Sequence, residues 1–257
     1  MSKDISKILQ EWEYDGSEIM VRLIRGDDGR EKVQLRVDLG LLQMELNGRP
    51  DGVRPEGHES WLDYYQAKHQ SHEARSDDPF ELGEEDCLRL WREGVQYYHR
   101  YLSFWHLKLY DLCARDTERN LRLFAFVRRF AANERTKVQF DQFRPYVLMM
   151  HARAVATPQI ERGDFAGALR AIDAGIEGIR EFLEEYDQSH DEEECTELSN
   201  LLRWREEVLA QADLQPEGEP AIRLEILRRR LQEAVSIEAF EEAARLRDEI
   251  RRLSTQG

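Results

Sequence analysis

SEIMVRLIRGDDGREKVQLRVDLGLLQMELNG, residues 17–48, is where the apolar residues of this chain recur at every second position. Ile19, Val21 and Leu23 alternate with Met20, Arg22 and Ile24, and Val33, Leu35, Val37 and Leu39 alternate with Gln34, Arg36 and Asp38. A period of two belongs to a strand with one face toward a core. Gly26-Asp27-Asp28-Gly29 between the two runs is turn chemistry, so they form a β-hairpin. A third strand, LLQMEL, follows Gly40 and stops at Asn47-Gly48. The expected product is a small antiparallel meander with its polar residues on one face. Such a meander needs a cover for the other face, and the nearest candidate is the helix SWLDYYQAKHQSH (residues 60–72), through Trp61, Leu62 and Tyr65.

Outward from this stretch the period changes. Asp4 to Glu13 suits a short amphipathic helix presenting Ile5, Ile8, Leu9 and Trp12. Beyond Asp78-Pro79 the chain reads as helical. From Glu84 to Ala114 the residues Leu88, Trp91, Val95, Tyr98, Leu102, Trp105, Leu109 and Leu112 recur at helical spacing and suit a bundle core. Asp116-Thr117 reads as the cap of a further helix carrying Leu121, Leu123, Phe124, Phe126, Val127 and Phe130. Pro145 suits a first turn, and Pro158 is expected to end or kink the helix that follows. ERGDFAGALRAIDAGIEGI opens a helix at Asp164 and looks like half of a tetratricopeptide repeat, with small Ala168 allowing close helix packing. EEYDQSHDEEE is an acidic surface loop, a helix runs from about Cys195 to Ala212, and LQPEGEP reads as a linker. The expected fold class is α+β, mainly α. Its expected divisions are 1–75 (meander with flanking helices), 76–213 (helical bundle with repeat-like pairs), 214–220 (linker) and 221–257 (helical hairpin).

Composition narrows the function. A net charge of −15 repels phosphate backbones and leaves nucleic-acid binding a local matter at most. Cys87, Cys113 and Cys195 are too scattered for a disulfide framework or a thiolate zinc site. MSKDISKILQEWEYDG lacks an apolar leader, and no run is long enough to span a bilayer, so the expected setting is the cytoplasm, away from membranes.

The tail carries the most specific pattern. Leu224, Leu227, Leu231 and Ala234 form one stripe; Phe240, Ala243, Leu246, Ile250 and Leu253 form another. Ser236 suits an N-cap for the second helix. Glu241 and Glu242 early and Arg251 and Arg252 late suit its dipole. A short turn between two such helices makes them antiparallel. LRRRLQEAVSIEAFEEAARLRDEIRRL (residues 227–253) resembles the UVR motif, the hairpin found at the end of UvrB, inside UvrC, in some Clp-type ATPases and in McsA. The resemblance rests on Leu231 with Ala234, Phe240-Glu241, Ala243-Ala244, Leu246-Arg247-Asp248, and Ile250 with Leu253. It implies pairing with another such hairpin, on a partner or in a homodimer. Independently, a lone hairpin of about thirty residues on a flexible tether is too small to satisfy its own apolar stripe. The expected partner seam is Leu227, Leu231, Phe240, Ala244, Leu246 and Ile250, with Arg247 and Asp248 setting register. The parent families' engines are missing: there is no G-x-x-x-x-G-K-[ST] and no paired cysteines, and no nuclease domain is identifiable.

Other candidates weigh less. His69 and His72 could form half a zinc site but suit an exposed helix end better; His99 and His106 suit a core edge better than catalysis. The aromatic run from Trp91 to Tyr110 suits a core rather than a cleft. NGRPDG with Arg49 and Arg54 suits a plain turn rather than an anion loop. The reading is a non-enzymatic adaptor, with no cofactor and no metal, that binds a UVR-bearing protein or itself. The alternative is a DNA-repair accessory contacting nucleic acid through Arg223, Arg228, Arg229, Arg251 and Arg252.

Overall fold

A computed structural model describes residues 4–75, 77–188, 192–214 and 220–254. Packing divides the chain into two compact units, Met1–Ala154 and Val155–Gly257. The class is α+β and mainly α.

In the first unit a short helix α1 (Ser6–Gln10) precedes strands β1 (Val21–Arg25), β2 (Glu31–Val37) and β3 (Gly40–Glu45). They form one antiparallel sheet in the order β1-β2-β3, with Leu23 opposite Val33 and Val33 opposite Met44. The β1–β2 turn closes through Gly29 at φ 75°, where a side chain would strain the left-handed backbone. Val33, Leu35 and Met44 are buried as the alternation requires. The polar face, however, is not solvated: Gln34 and Arg36 are buried too. The Arg36 guanidinium donates to the carbonyls of Trp12, at 2.9 Å, and of Gly40, at 2.8 Å. Arg22 stacks over the Trp12 ring at 4.1 Å. The segment after α1 thus covers the polar face through cation–π and charge-assisted contacts, which hydropathy alternation does not register.

The sheet packs on α3 (Glu84–His106), while α2 (Trp61–Glu73) packs against α3. This corrects the expected cover. The segment 84–114 is also not one helix, since α3 ends at His106 and α4 runs Tyr110–Phe130. Between them Lys108 is left-handed (φ 58°), with Leu109 N–H bonding Phe104 C=O at 2.9 Å and Lys108 N–H bonding Trp105 C=O at 3.0 Å. That is a Schellman stop. The same stop ends three more helices, with Gly163, Asp187 and Glu238 as the left-handed residue; only one of the four has the glycine that announces it in a sequence.

The face of α3 that is buried carries Cys87, Leu90, Glu93, Gly94, Tyr97, Arg100, Tyr101 and Phe104, not the expected stripe. The reason is an ion network. Arg100 clamps Asp116 of α4 through Nε at 2.6 Å and Nη2 at 3.0 Å, and donates through Nη1 to the carbonyls of Glu45 (2.9 Å) and Gly48 (2.8 Å). Arg115 adds Asp116 at 3.0 Å and the Leu46 carbonyl at 2.7 Å. Glu93 pairs with Arg119 and accepts the N–H groups of Trp61 (2.8 Å) and Leu62 (3.1 Å), so it also caps α2. The guanidiniums of Arg119, at 4.0 Å, and Arg100, at 4.7 Å, both lie over the Tyr97 ring. Opposite charges from three segments bury one another here because each carboxylate faces a guanidinium and most of their polar atoms find a partner, the buried Nε of Arg119 excepted. Asp116 and Thr117 therefore sit mid-helix and buried, not at a cap. In the 47–52 loop the Gly48 carbonyl and the Asn47 side-chain oxygen accept from Arg100 and Arg115, the polarity opposite to an anion nest. α5 (Glu134–Asp141) follows, and α6 (Arg144–Glu161), with Pro145 in its first turn, continues three residues past Pro158 instead of ending there.

In the second unit Asp164 caps α7 (Phe165–Glu185) by accepting the Gly167 N–H at 2.8 Å. α7, whose buried residues include Ala168, Leu169, Ile172, Ile176 and Ile179, packs on α8 (Thr196–Asp213), and Arg205 bridges back to Asp173 at 2.6 Å. Most of the expected linker, and the tip of the acidic loop at 189–191, lie outside the described residues. The tail forms α9 (Pro220–Ser236) and α10 (Phe240–Ser254).

Candidate interaction site

α9 and α10 pack as the antiparallel hairpin that their two stripes require. Leu227, Ala234, Ala243 and Leu246 are buried between them, and Leu231, Ala239, Ile250 and Leu253 pack against that cluster. Alanines on both helices let the backbones approach closely. The turn is the Schellman stop at Glu238 (φ 59°): Ala239 N–H reaches Ala234 C=O at 2.8 Å and Glu238 N–H reaches Val235 C=O at 3.1 Å. Ser236 is the last residue of α9, its hydroxyl donating to the Glu233 carbonyl at 2.7 Å, so it does not cap α10. A backward bond to its own helix is the nearer option for a hydroxyl at a C-terminus.

The hairpin is also not a tethered body on its own. α9 packs on α8 as well as on α10. Ile222 and Ile226 are buried outside the hairpin's cluster. Arg229 bridges to Glu206 at 2.7 Å, and Arg230 pairs with Asp213. Neither isoleucine belongs to the leucine stripe that periodicity picks out; what marks them is that Ile222, Ile226 and Arg229, Arg230 recur at three and four residues on the adjacent face.

This packing separates the expected seam residues into two groups. Leu227, Leu231, Leu246 and Ile250 hold the hairpin together. Phe240 is 68% exposed, and Ala244, Arg247 and Asp248 are exposed along the same side of α10. Val235 (53%) and Ile237 (73%), which the stripe analysis passes over, are exposed beside Phe240 at the turn. Three large apolar side chains in solvent at one tip, with Glu238, Glu241 and Glu242 among them, form an apolar knob in an acidic collar. At the open end an indentation is lined by Arg223, Arg245, Asp248, Glu249, Arg252 and Leu253. Arg223 bridges Glu249 there at 3.0 Å. Arg223, Arg229 and Arg230 each stand opposite a carboxylate, which offsets their charge toward a phosphate backbone.

The histidines fall into structural surroundings. His69 lies against the Phe130 ring at 4.3 Å, and His72 Nε2 is 2.8 Å from the Asp78 carbonyl oxygen. Burial holds the pKa of His99 below its ordinary value. Among the described residues, no three histidine, cysteine or carboxylate side chains gather as a metal site, and no helix is long and apolar enough to cross a membrane.

Residues 222–256 match the family model of the UvrB/uvrC motif. That motif occurs in DNA-repair and related proteins and mediates protein interactions. No curated protein and no solved structure matches the chain.

Proposed function

We propose that this protein is a non-enzymatic adaptor of the cytoplasm whose hairpin pairs with a second UVR-like hairpin, on a partner protein or on another copy. The match of residues 222–256 to the UvrB/uvrC motif carries the reading. The contact face is the outward side of α10, Phe240, Ala244, Arg247 and Asp248, extended at the turn by Val235 and Ile237. Leu227, Leu231, Leu246 and Ile250 act one step back, by fixing the spacing of the two helices. Phe240 is the anchor, since it is the largest apolar side chain on that face and has no cover of its own.

Burying a phenylalanine contributes about 2 kcal/mol. Phe240→Asp forfeits that and places a carboxylate in the contact, so binding falls by roughly 30-fold or more. The test is capture of UVR-bearing proteins from the native cell on immobilised full-length protein, wild type against Phe240→Asp. Because Phe240 is exposed, the variant keeps its fold and its helical circular dichroism. Equal capture by both proteins removes the reading.

A further inference from the structure

The apolar row that periodicity assigns to the bundle core lies on the outside of α3. Leu88 is 46% exposed, and Val95 and Tyr98 are 37% exposed each. Trp91, Leu102 and Trp105 are half-buried along the same line. The six residues are spaced alternately three and four apart, which is the a/d repeat of a helix that seeks another helix. The repeat runs on in sequence to Leu109 and Leu112, but the left-handed Lys108 turns the chain away, so the row ends with α3. It does not drift loosely. Trp91 is fixed by an edge contact to Phe140 at 5.2 Å and a tilted one to Phe143 at 5.7 Å, Tyr98 by a tilted contact to Tyr146 at 6.4 Å, and Trp105 by an edge contact to Tyr110 at 5.4 Å. A rigid apolar ridge of this kind, roughly 26 Å long at 1.5 Å per residue, is unusual on a free surface.

The order of side chains identifies the occupant. The row reads Leu, Trp, Val, Tyr, Leu, Trp. Laid antiparallel on a second α3 about a two-fold axis between Gln96 and Tyr97, Leu88 meets the partner's Trp105, Trp91 meets the partner's Leu102, and Val95 meets the partner's Tyr98. Every layer then pairs one aromatic with one aliphatic residue, large against small, as interdigitating seams require. An unrelated helix gives no reason for this mirror order, whereas self-complementarity is what a two-fold interface demands. The flanking charges agree. Glu85 falls beside the partner's His106 and Arg92 beside the partner's His99, so no two carboxylates and no two guanidiniums oppose each other there.

We infer that the outer face of α3 is a homodimer seam, in which a second copy of this chain packs antiparallel through Leu88, Trp91, Val95, Tyr98, Leu102 and Trp105. This contact is separate from the hairpin and does not depend on its reading.

Sedimentation velocity on the full chain tests it, with wild type, Val95→Glu and Phe240→Asp compared at about 0.05 M and about 0.5 M salt. The expected result is a wild-type dimer that strengthens with salt, because each copy carries a net charge of −15 and the copies repel at low ionic strength. Val95→Glu should be monomeric at the same concentration, at least 30-fold weaker in self-association. Should Val95→Glu lose helical signal, Leu88→Lys reads the same face from its most exposed position. A monomeric wild type at both salt concentrations overturns the proposal. So does a dimer that persists in folded Val95→Glu or Leu88→Lys, whichever way Phe240→Asp goes; if that dimer is lost in Phe240→Asp, self-association belongs to the hairpin.

Discussion

Arg100 and Asp116 offer the sharpest test of how the first unit is held together. Arg100→Leu removes both bonds to Asp116 and the two to the carbonyls of Glu45 and Gly48. It leaves a buried carboxylate with Arg115 alone. Asp116→Leu leaves a buried guanidinium with carbonyls only. Breaking a buried pair from one side costs about 4 kcal/mol, a large part of the ~5–15 kcal/mol that holds a domain folded. Removing both partners takes away the stranded charges along with the bonds, so the double variant should lie about 3 kcal/mol above the sum of the singles. Urea unfolding followed by tryptophan fluorescence reads this, since Trp12, Trp61, Trp91 and Trp105 lie in the first unit and only Trp204 in the second. If the double variant loses the sum of the two single losses to within about 0.5 kcal/mol, the two residues act independently. The network would then be a set of separate contacts.

Three further outcomes follow from local geometry. Glu238 occupies the left-handed position that glycine takes without strain, so Glu238→Gly should stabilise the hairpin by about 1 kcal/mol; amide exchange in α9 and α10 that becomes faster instead of slower would contradict this. Burial pushes the thiol of Cys87 up to about 11 and that of Cys113 up to about 12. At pH 8 an alkylating reagent should therefore reach Cys195 first, and the other two only on unfolding. The linkage sign follows: above the unfolded thiol value the folded state holds protons that the unfolded state releases, so stability falls as pH climbs through about 9 toward 11–12. Mass spectrometry of the native, labelled protein checks the first, and denaturant midpoints across that pH window check the second.

The meander was legible because strand alternation and turn glycines are local signals, and Val33, Leu35 and Met44 fill the core that the alternation requires. The hairpin was legible for the same reason at a period near 3.6. What escaped was wherever charge does the packing. Glu93 and Arg100 look like solvent residues on α3, so the stripe through Leu88, Val95 and Tyr98 took their place as the apparent core. Asp116-Thr117 looks like a cap because short polar residues favour helix ends, yet Arg100 and Arg115 draw Asp116 inward. Chain reversals at Lys108, Asp187 and Glu238 carry no glycine to mark them. At the candidate site, Phe240, Ala244, Arg247 and Asp248 could be named from the pattern. Which stripe residues the hairpin would consume internally depended on how α9 meets α10, and the burial of Ile222 and Ile226 on contacts outside the hairpin, which no local reading of the tail contains.

Helix α9 touches α10 on one flank and α8 on the other, which makes the last part of the chain a shared wall and not a detachable handle. Clipping the chain after Leu214 would take away the neighbour that lies along α8, where Val208, Leu209 and Ala212 sit inside. The shortened protein would open a fresh oily strip and clump for reasons unrelated to any lost companion. Point changes at the knob, which leave the wall standing, are the cleaner way to ask what the tail grips.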